Sequence, residues 1–289
     1  MAVGPEESPP VVERPPDALA LLRLAVGVEV LAEDRARGDT VLGSVGRRGL
    51  FGGQMVAQSL SACAHTVPAG AVPDSIHVNF LGNSVAGTPI DFRVERVRDG
   101  RALQHRDVRG YQDDVPILHA MIVSSMPSEG LNWQRPSIPD VGPPDDSSTA
   151  PRPWAQALGW GAFEVVFPRG EGTPPDFPLW IRARAIPEDA WLQAAVVAFW
   201  SDFGMNWAAR VDHDALAGPI ASVSATHGLW FHRATRVDQW HLFDARSDSF
   251  SGNQAFVRAL LFAGDGQLVA SVDQGVFIPR TAAPSSEHA

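Results

Sequence analysis

The sequence predicts an α+β protein of two successive halves, each a long helix enclosed by a curved antiparallel sheet. Three observations lead there. Helical runs at 51–67 and 187–204 each open a half and are each followed by extended segments in the same order. Asp-Gly stands between two extended runs once per half, in VRDGRA (97–102) and AGDGQL (263–268), a strong short-range hairpin signal. In the second helical run Trp191, Leu192 and the stretch from Ala194 to Trp200 cover every face, so that helix needs enclosure and not a mere supporting surface.

The elements follow in order. The opening stretch MAVGPEESPPVVERPPD is acidic and proline-rich, and residues 1–18 are expected to be a flexible N-terminus. The first half, 19–127, has its helix at FGGQMVAQSLSACAHTV (51–67) and strands at 75–82, 88–112 and 115–126, with the hairpin inside the second. Segment 128–153 is rich in proline, serine and acid, which sustains neither helix nor sheet interior, so it reads as a surface linker. The second half, 154–282, opens its helix with Pro187, Glu188 and Asp189 in the first turn, where a missing N–H is harmless and negative charge meets the positive helix end. Its strands are expected at 224–233, 239–250, 254–263 and 266–278, with a flexible tail at 283–289. His77 precedes Ile117 by 40 residues and His227 precedes Leu268 by 41, each pair bracketing strand, hairpin and strand. An internal duplication of about 130 residues accounts for this economically.

Composition excludes several functions. With 33 acidic against 23 basic residues the net charge is -10, which argues against a nonspecific grip on nucleic acid. No segment approaches the ~18 apolar residues of a membrane span, so no membrane insertion is expected. The single Cys63 lies in an apolar helical stretch without a partner, which reads as a buried small hydrophobe in a reducing compartment and points to the cytoplasm. Nine histidines occur without zinc-ligand spacing, and neither G-x-G-x-x-G nor a Walker loop is present, so no metal, dinucleotide or nucleotide triphosphate is expected.

The chemistry is sought among polar residues set in apolar runs. Asp202 follows the all-apolar helix and, at helical spacing, shares a face with Ala195, Ala198 and Phe199. Ser224 opens a central strand, and Gln274 interrupts LVASVDQGVFI near the end of another. A hydroxyl and an amide can satisfy one carboxylate and still hold a water, which suits hydrolysis with water as the direct attacker and Asp202 as its base. A structural cap, or an acid paired with a nearby basic group, is the competing reading at Asp202. A covalent serine is disfavoured: no G-x-S-x-G elbow occurs, and His227, three residues from Ser224, falls on the opposite face of a regular strand.

FGGQMVAQSL (51–60), SIHVNFLG (75–82), VERVRDGRA (94–102), SDF (201–203), HGLWFHR (227–233) and LVASVDQGV (268–276) together resemble the acyl-CoA thioesterase II family, whose members carry two hotdog domains in one chain. The resemblance runs from about Leu19 to Arg280 and implies a double hotdog fold, hydrolysis of a fatty or related acyl-CoA without metal or organic cofactor, and assembly into homodimers or homotetramers. It places the family's catalytic aspartate, hydroxyl and glutamine at Asp202, Ser224 and Gln274. Two departures stand beside them: Thr226 where the family commonly has an acid, and Gly275 where it has glutamate after the glutamine. For an acyl-CoA, Phe199, Trp200 and Phe203, with Met205 and Trp207, are candidate walls of an apolar channel. Arg233, or Arg96, Arg98 and Arg101 at the first hairpin, are candidate phosphate contacts. Gly52 and Gly53 would let the first helix start close against neighbouring backbone, with Gln54 bonding across the gap or toward the acyl channel. A hotdog hydratase or dehydratase, a noncatalytic acyl-CoA-binding protein, and more remotely a ligand-binding sandwich of two packed sheets remain as alternatives.

Overall fold

The computed structural model describes residues 17–40, 49–144, 161–168, 177–209 and 222–279. The terminal segments expected at 1–18 and 283–289 lie outside these residues, apart from Asp17 and Ala18, as does the linker beyond residue 144.

Sixteen elements are described. The first half comprises α1 (Ala18–Val26), β1 (Glu29–Ala32), β2 (Arg35–Gly38), α2 (Gly52–Ala64), β3 (Val72–Phe80), β4 (Ile90–Asp99), β5 (Leu103–Gln112) and β6 (Val115–Ser125). The second comprises β7 (Phe163–Val166), β8 (Phe177–Ala183), α3 (Ala190–Trp200), α4 (Met205–Ala208), β9 (Val223–Phe231), β10 (His241–Ser251), β11 (Gln254–Ala263) and β12 (Leu268–Phe277). Both Asp-Gly sequences turn hairpins as expected, between β4 and β5 and between β11 and β12.

All strands join one antiparallel sheet in the order β1-β2-β4-β5-β6-β3-β9-β12-β11-β10-β8-β7. The seam between the halves is β3 against β9, where Ile76 faces Leu229 and Val78 faces His227. A single continuous sheet rules out the two packed sheets of the sandwich alternative. The helices α2 and α3 pack together against one side of the sheet and run in opposite directions, for the start of α2 touches the end of α3, while the Trp191 indole at the start of α3 donates to the Ala71 carbonyl in the segment that follows α2 (2.8 Å). Their apolar residues and the inward residues of the strands form one core that spans both halves. The full burial of α3 from Ala195 to Trp200 bears out its reading as an enclosed helix.

The boundaries of α3 differ from the expectation of 187–204. Asp189 stands at the N-cap, its carboxylate accepting from Leu192 N (2.9 Å), and not in the first turn. At the other end the helix stops at Trp200, and Gly204 with φ 72° closes the turn that follows. Asp202 therefore sits in that turn and not on a helix face. The linker, in its described part, folds back over the second half: Gln134 donates to Gly266 O and accepts from Leu268 N, both at 2.8 Å, while Ile138 and Val141 cover a small cluster around Trp180 and Phe262.

Candidate active site

The N-terminus of α2 lacks a side-chain cap of its own, since Phe51 occupies that position. Asp202 fills the role from the other half: its Oδ2 accepts from Gly53 N at 2.9 Å. The glycine pair makes that approach possible. A Cβ on Gly53 would lie 2.4 Å from the Phe199 carbonyl, and one on Gly52 would lie 2.7 Å from the Asp202 carboxylate. The expectation that these glycines bring the helix against neighbouring backbone is met, and its purpose is to seat a carboxylate on a helix N-terminus.

Asp202 is buried, and its Oδ1 has no hydrogen-bond partner. Burial pushes its pKa up to about 7, with the Gly53 N–H and the nearby Gln274 amide pulling the other way. Although Gln274 is close enough to moderate the carboxyl, it makes no hydrogen bond of ordinary length to Oδ1. Its Nε2 instead lies 2.9 Å from Ser224 Oγ and 3.5 Å from Asn206 Oδ1. Ser224 and Gln274 are thus in direct contact, and Asn206 on α4 stands beside both, its Nδ2 3.4 Å from Ser224 Oγ.

A register shift in β9 creates this arrangement. Gly275 pairs with Thr226 but Val276 pairs with Ser224, so Ala225 is a bulge residue. The bulge reverses the alternation, and Ser224 and His227 both point inward although they stand three positions apart. This corrects the regular-strand reading that set them on opposite faces. His227 is not placed as a base for Ser224, because its Nδ1 lies 2.6 Å from Gln274 Oε1 and its Nε2 2.8 Å from Ser201 Oγ. Burial pushes its pKa down to about 4.

The remaining candidates divide. Phe199, Trp200 and Phe203 are fully buried in the common core, with Phe51 against Phe199 at 5.0 Å and against Phe203 at 5.5 Å between ring centroids, so they pack the ground beneath Asp202. Met205 is buried with them, while Trp207 is half exposed on α4. Gln54 is buried and donates to the Asp39 carbonyl (2.9 Å), which turns it toward β2, away from the seam. Arg233 is not brought to the site. It lies beyond the far end of β9 from Ser224 and is occupied by Leu268 O (2.8 Å) and Asn132 Oδ1 (2.6 Å), tethering the linker. Arg96 pairs with Glu33 and Asp34. Thr226 and Gly275 are cross-strand partners, and a Cβ at Gly275 would meet Thr226 Oγ1 at 2.7 Å, so the two departures form one coupled local change. Sequence reading missed Ser201 and Asn206, both close to Asp202 in the chain. Among the described residues no group of three or more His, Cys, Asp or Glu is placed to hold a metal, and no helix is long and apolar enough to cross a membrane.

Comparison with known proteins agrees with this architecture. The family description "Acyl-CoA thioesterase N-terminal domain" matches residues 42–125, and "Acyl-CoA thioesterase C-terminal domain" matches 135–278. Acyl-CoA thioesterase 2 of Haemophilus influenzae is 29% identical over 251 residues, covering 80% of this chain and 87% of its own. The solved structure of a tesB protein from Mycobacterium avium subsp. paratuberculosis superposes with a TM-score of 0.77 at 28% identity, over 91% of this chain and 100% of that one. A hot dog fold protein of unknown function from Alicyclobacillus acidocaldarius, at 21% identity and TM-score 0.72 over 91% and 99% of the two chains, supports the fold alone. With both halves matched in order, the chain belongs to the acyl-CoA thioesterase family and has its double hotdog architecture.

Proposed function

We propose that the chain hydrolyses a fatty or related acyl-CoA to the free acid and CoA, with Asp202, Ser224 and Gln274 activating the attacking water. The observation that carries the reading is a buried carboxylate with one oxygen fixed on the α2 N-terminus and the other unpartnered beside the Ser224–Gln274 pair. That free oxygen can take a proton from a water held by the serine hydroxyl and the glutamine amide. The water oxygen forms a bond to the thioester carbonyl carbon. Collapse of the tetrahedral adduct breaks the carbon–sulfur bond, and the proton held by Asp202 returns to the departing thiolate. A carboxyl near pKa 7 suits both transfers, being basic enough to accept at neutral pH and acidic enough to donate.

The first half contributes the Gly53 N–H and the second the reacting side chains. Gln54 and Arg233 drop out of the proposed substrate contacts, while Phe199, Trp200 and Phe203 serve as rigid support. A cytoplasmic setting suits the buried, unpaired Cys63. The exposed Val223, Phe256 and Phe277 on the outer sheet face suit assembly into homodimers or homotetramers.

The test is a panel of acyl-CoA substrates of graded length run with wild type and Asp202→Asn, following CoA release with a thiol reagent. Release by wild type and its loss in the variant support the reading. Binding without release marks a noncatalytic acyl-CoA-binding protein, and water addition to an enoyl-CoA without release marks a hydratase.

A further inference from the structure

Behind the proposed catalytic residues lies a second row of buried polar groups that hydrolysis leaves unused. Ser201 ends α3 with its Oγ 2.7 Å from the Ala198 carbonyl and 2.8 Å from His227 Nε2. His227 Nδ1 lies 2.6 Å from Gln274 Oε1, and the other end of that amide faces Ser224 and Asn206. Ser201, His227 and Gln274 are all buried, so each hydrogen must find its acceptor within the row.

Such a row has two arrangements, because a neutral imidazole carries one N–H, a hydroxyl one O–H and a carboxamide one oxygen end. In the first, Nδ1–H donates to the Gln274 oxygen, the Gln274 NH2 turns toward Ser224, Asn206 and Asp202, and the one Ser201 hydrogen goes to the bare Nε2, which leaves the 2.7 Å contact between Ser201 Oγ and the Ala198 carbonyl without a hydrogen. In the second every direction reverses. Nε2–H donates to Ser201, Ser201 donates to Ala198 O, the amide NH2 faces Nδ1, and the amide oxygen faces the site.

The two ends of the row pull opposite ways, and the charged end decides. Asp202 Oδ1 is a buried carboxylate oxygen with no partner, and an amide oxygen turned toward it would set two acceptors against each other, which costs more at an ionised group than the hydrogen missing from the neutral Ser201–Ala198 contact. An NH2 group there offers a donor instead. We infer that His227, neutral with its proton on Nδ1 and backed by Ser201, is a positioning residue that holds the Gln274 amide with its NH2 toward Ser224 and Asp202. The depressed pKa of His227 agrees with a ring that stays neutral through the working range. The kinetic consequence rests on the hydrolytic reading; the proton arrangement does not.

Two measurements test this. In protein labelled with 15N-histidine, long-range nitrogen–proton correlation at neutral pH, with His227→Phe used to identify the signals, should show His227 protonated at Nδ1 and bare at Nε2. An Nε2–H tautomer or a doubly protonated ring overturns the inference. In the acyl-CoA assay, His227→Phe should lower kcat about 10- to 100-fold with KM changed less than about two-fold, the range expected when a reacting group is misplaced. His227→Asn, whose amide nitrogen falls near the place of Nδ1 and can still donate to Gln274, should recover most of that loss, and His227→Gln should not. Equal losses in the asparagine and phenylalanine variants overturn the inference. If the wild type itself releases no CoA, the hydrolytic reading has failed, and the spectrum still decides the proton arrangement.

Discussion

Asp202→Asn should stabilise the protein at alkaline pH while removing its turnover, because the carboxylate is held at a cost to the fold. Its pKa rises from an ordinary 3.8 to about 7, and desolvation is the largest cause. The folded chain therefore binds this proton more tightly than the unfolded chain does. The resulting penalty is absent below about pH 4, grows as pH rises through the window between the two values, and is complete above about pH 7; a difference of that size amounts to about 4 kcal/mol. Asparagine keeps an acceptor for the Gly53 N–H but cannot ionise. Urea unfolding of wild type and variant across pH should give curves that coincide near pH 4 and separate progressively up to pH 8, with the variant the more stable by as much as about 4 kcal/mol. Other titrating groups are common to both proteins and cancel in the difference. A gap that stays constant with pH would refute the reasoning, because it would mean that Asp202 ionises in the folded state as readily as in the unfolded one.

Other consequences are open to direct measurement. If Asp202 is the base, kcat/KM should rise with pH around a midpoint of about 7, and a flat profile from pH 5 to 9 would contradict that role. Gly53→Ala sets a Cβ against the Phe199 backbone carbonyl and should cost about 1–3 kcal/mol in urea unfolding, whereas Gly52→Ala intrudes on the carboxylate and should reduce turnover more than stability. Arg106, buried and bonded to Thr66 Oγ1 and O, Arg98 O, His105 O and Asp99, should on replacement by methionine lower stability by at least about 2 kcal/mol through the acceptors left without donors. Cys63, buried with its thiol pushed up to about 12, should not react with a thiol reagent in the folded protein, so an assay of CoA release reads CoA alone.

What was legible in the sequence was whatever depends on local pattern. The apolar α3 announced its own enclosure, both Asp-Gly turns announced hairpins, and Asp202, Ser224 and Gln274 stood out as polar residues in apolar surroundings. The four-residue strands β1, β2 and β7 and the seven-residue β8 left no such signal; β1 is exposed along its whole length, so no alternation marks it. The bulge at Ala225 was invisible because it is a relation between two strands: nothing in SATH says that β12 will pair Val276 with Ser224. The neighbours of Arg233 were hidden for a related reason. A cation at a strand end invites a phosphate, but which loop passes over it depends on tertiary structure, and here the linker does.

The same geometry explains why, among the described residues, the proposed site forms at one end of the helix pair and not at the other. The helix pair has two ends, and each brings the N-terminus of one helix close to the C-terminal end of the other. At one end α3 caps itself, its own Asp189 bonding to Leu192 N, so no carboxylate from the first half is drawn in. At the other end α2 begins at Phe51 and two glycines, with no side-chain cap of its own, and Asp202 crosses from the second half to supply an acceptor for Gly53 N. A helix that lacks its own cap thus holds a carboxylate that burial alone would neutralise, and it holds it by one oxygen, leaving the other for chemistry. Ser224 and Gln274 reach that oxygen's neighbourhood only because β9 is bulged and paired with β12. The first half thus takes part in the proposed site through a helix N-terminus and a sheet to pair against, with the Gly53 N–H its direct contact to the Asp202 carboxylate.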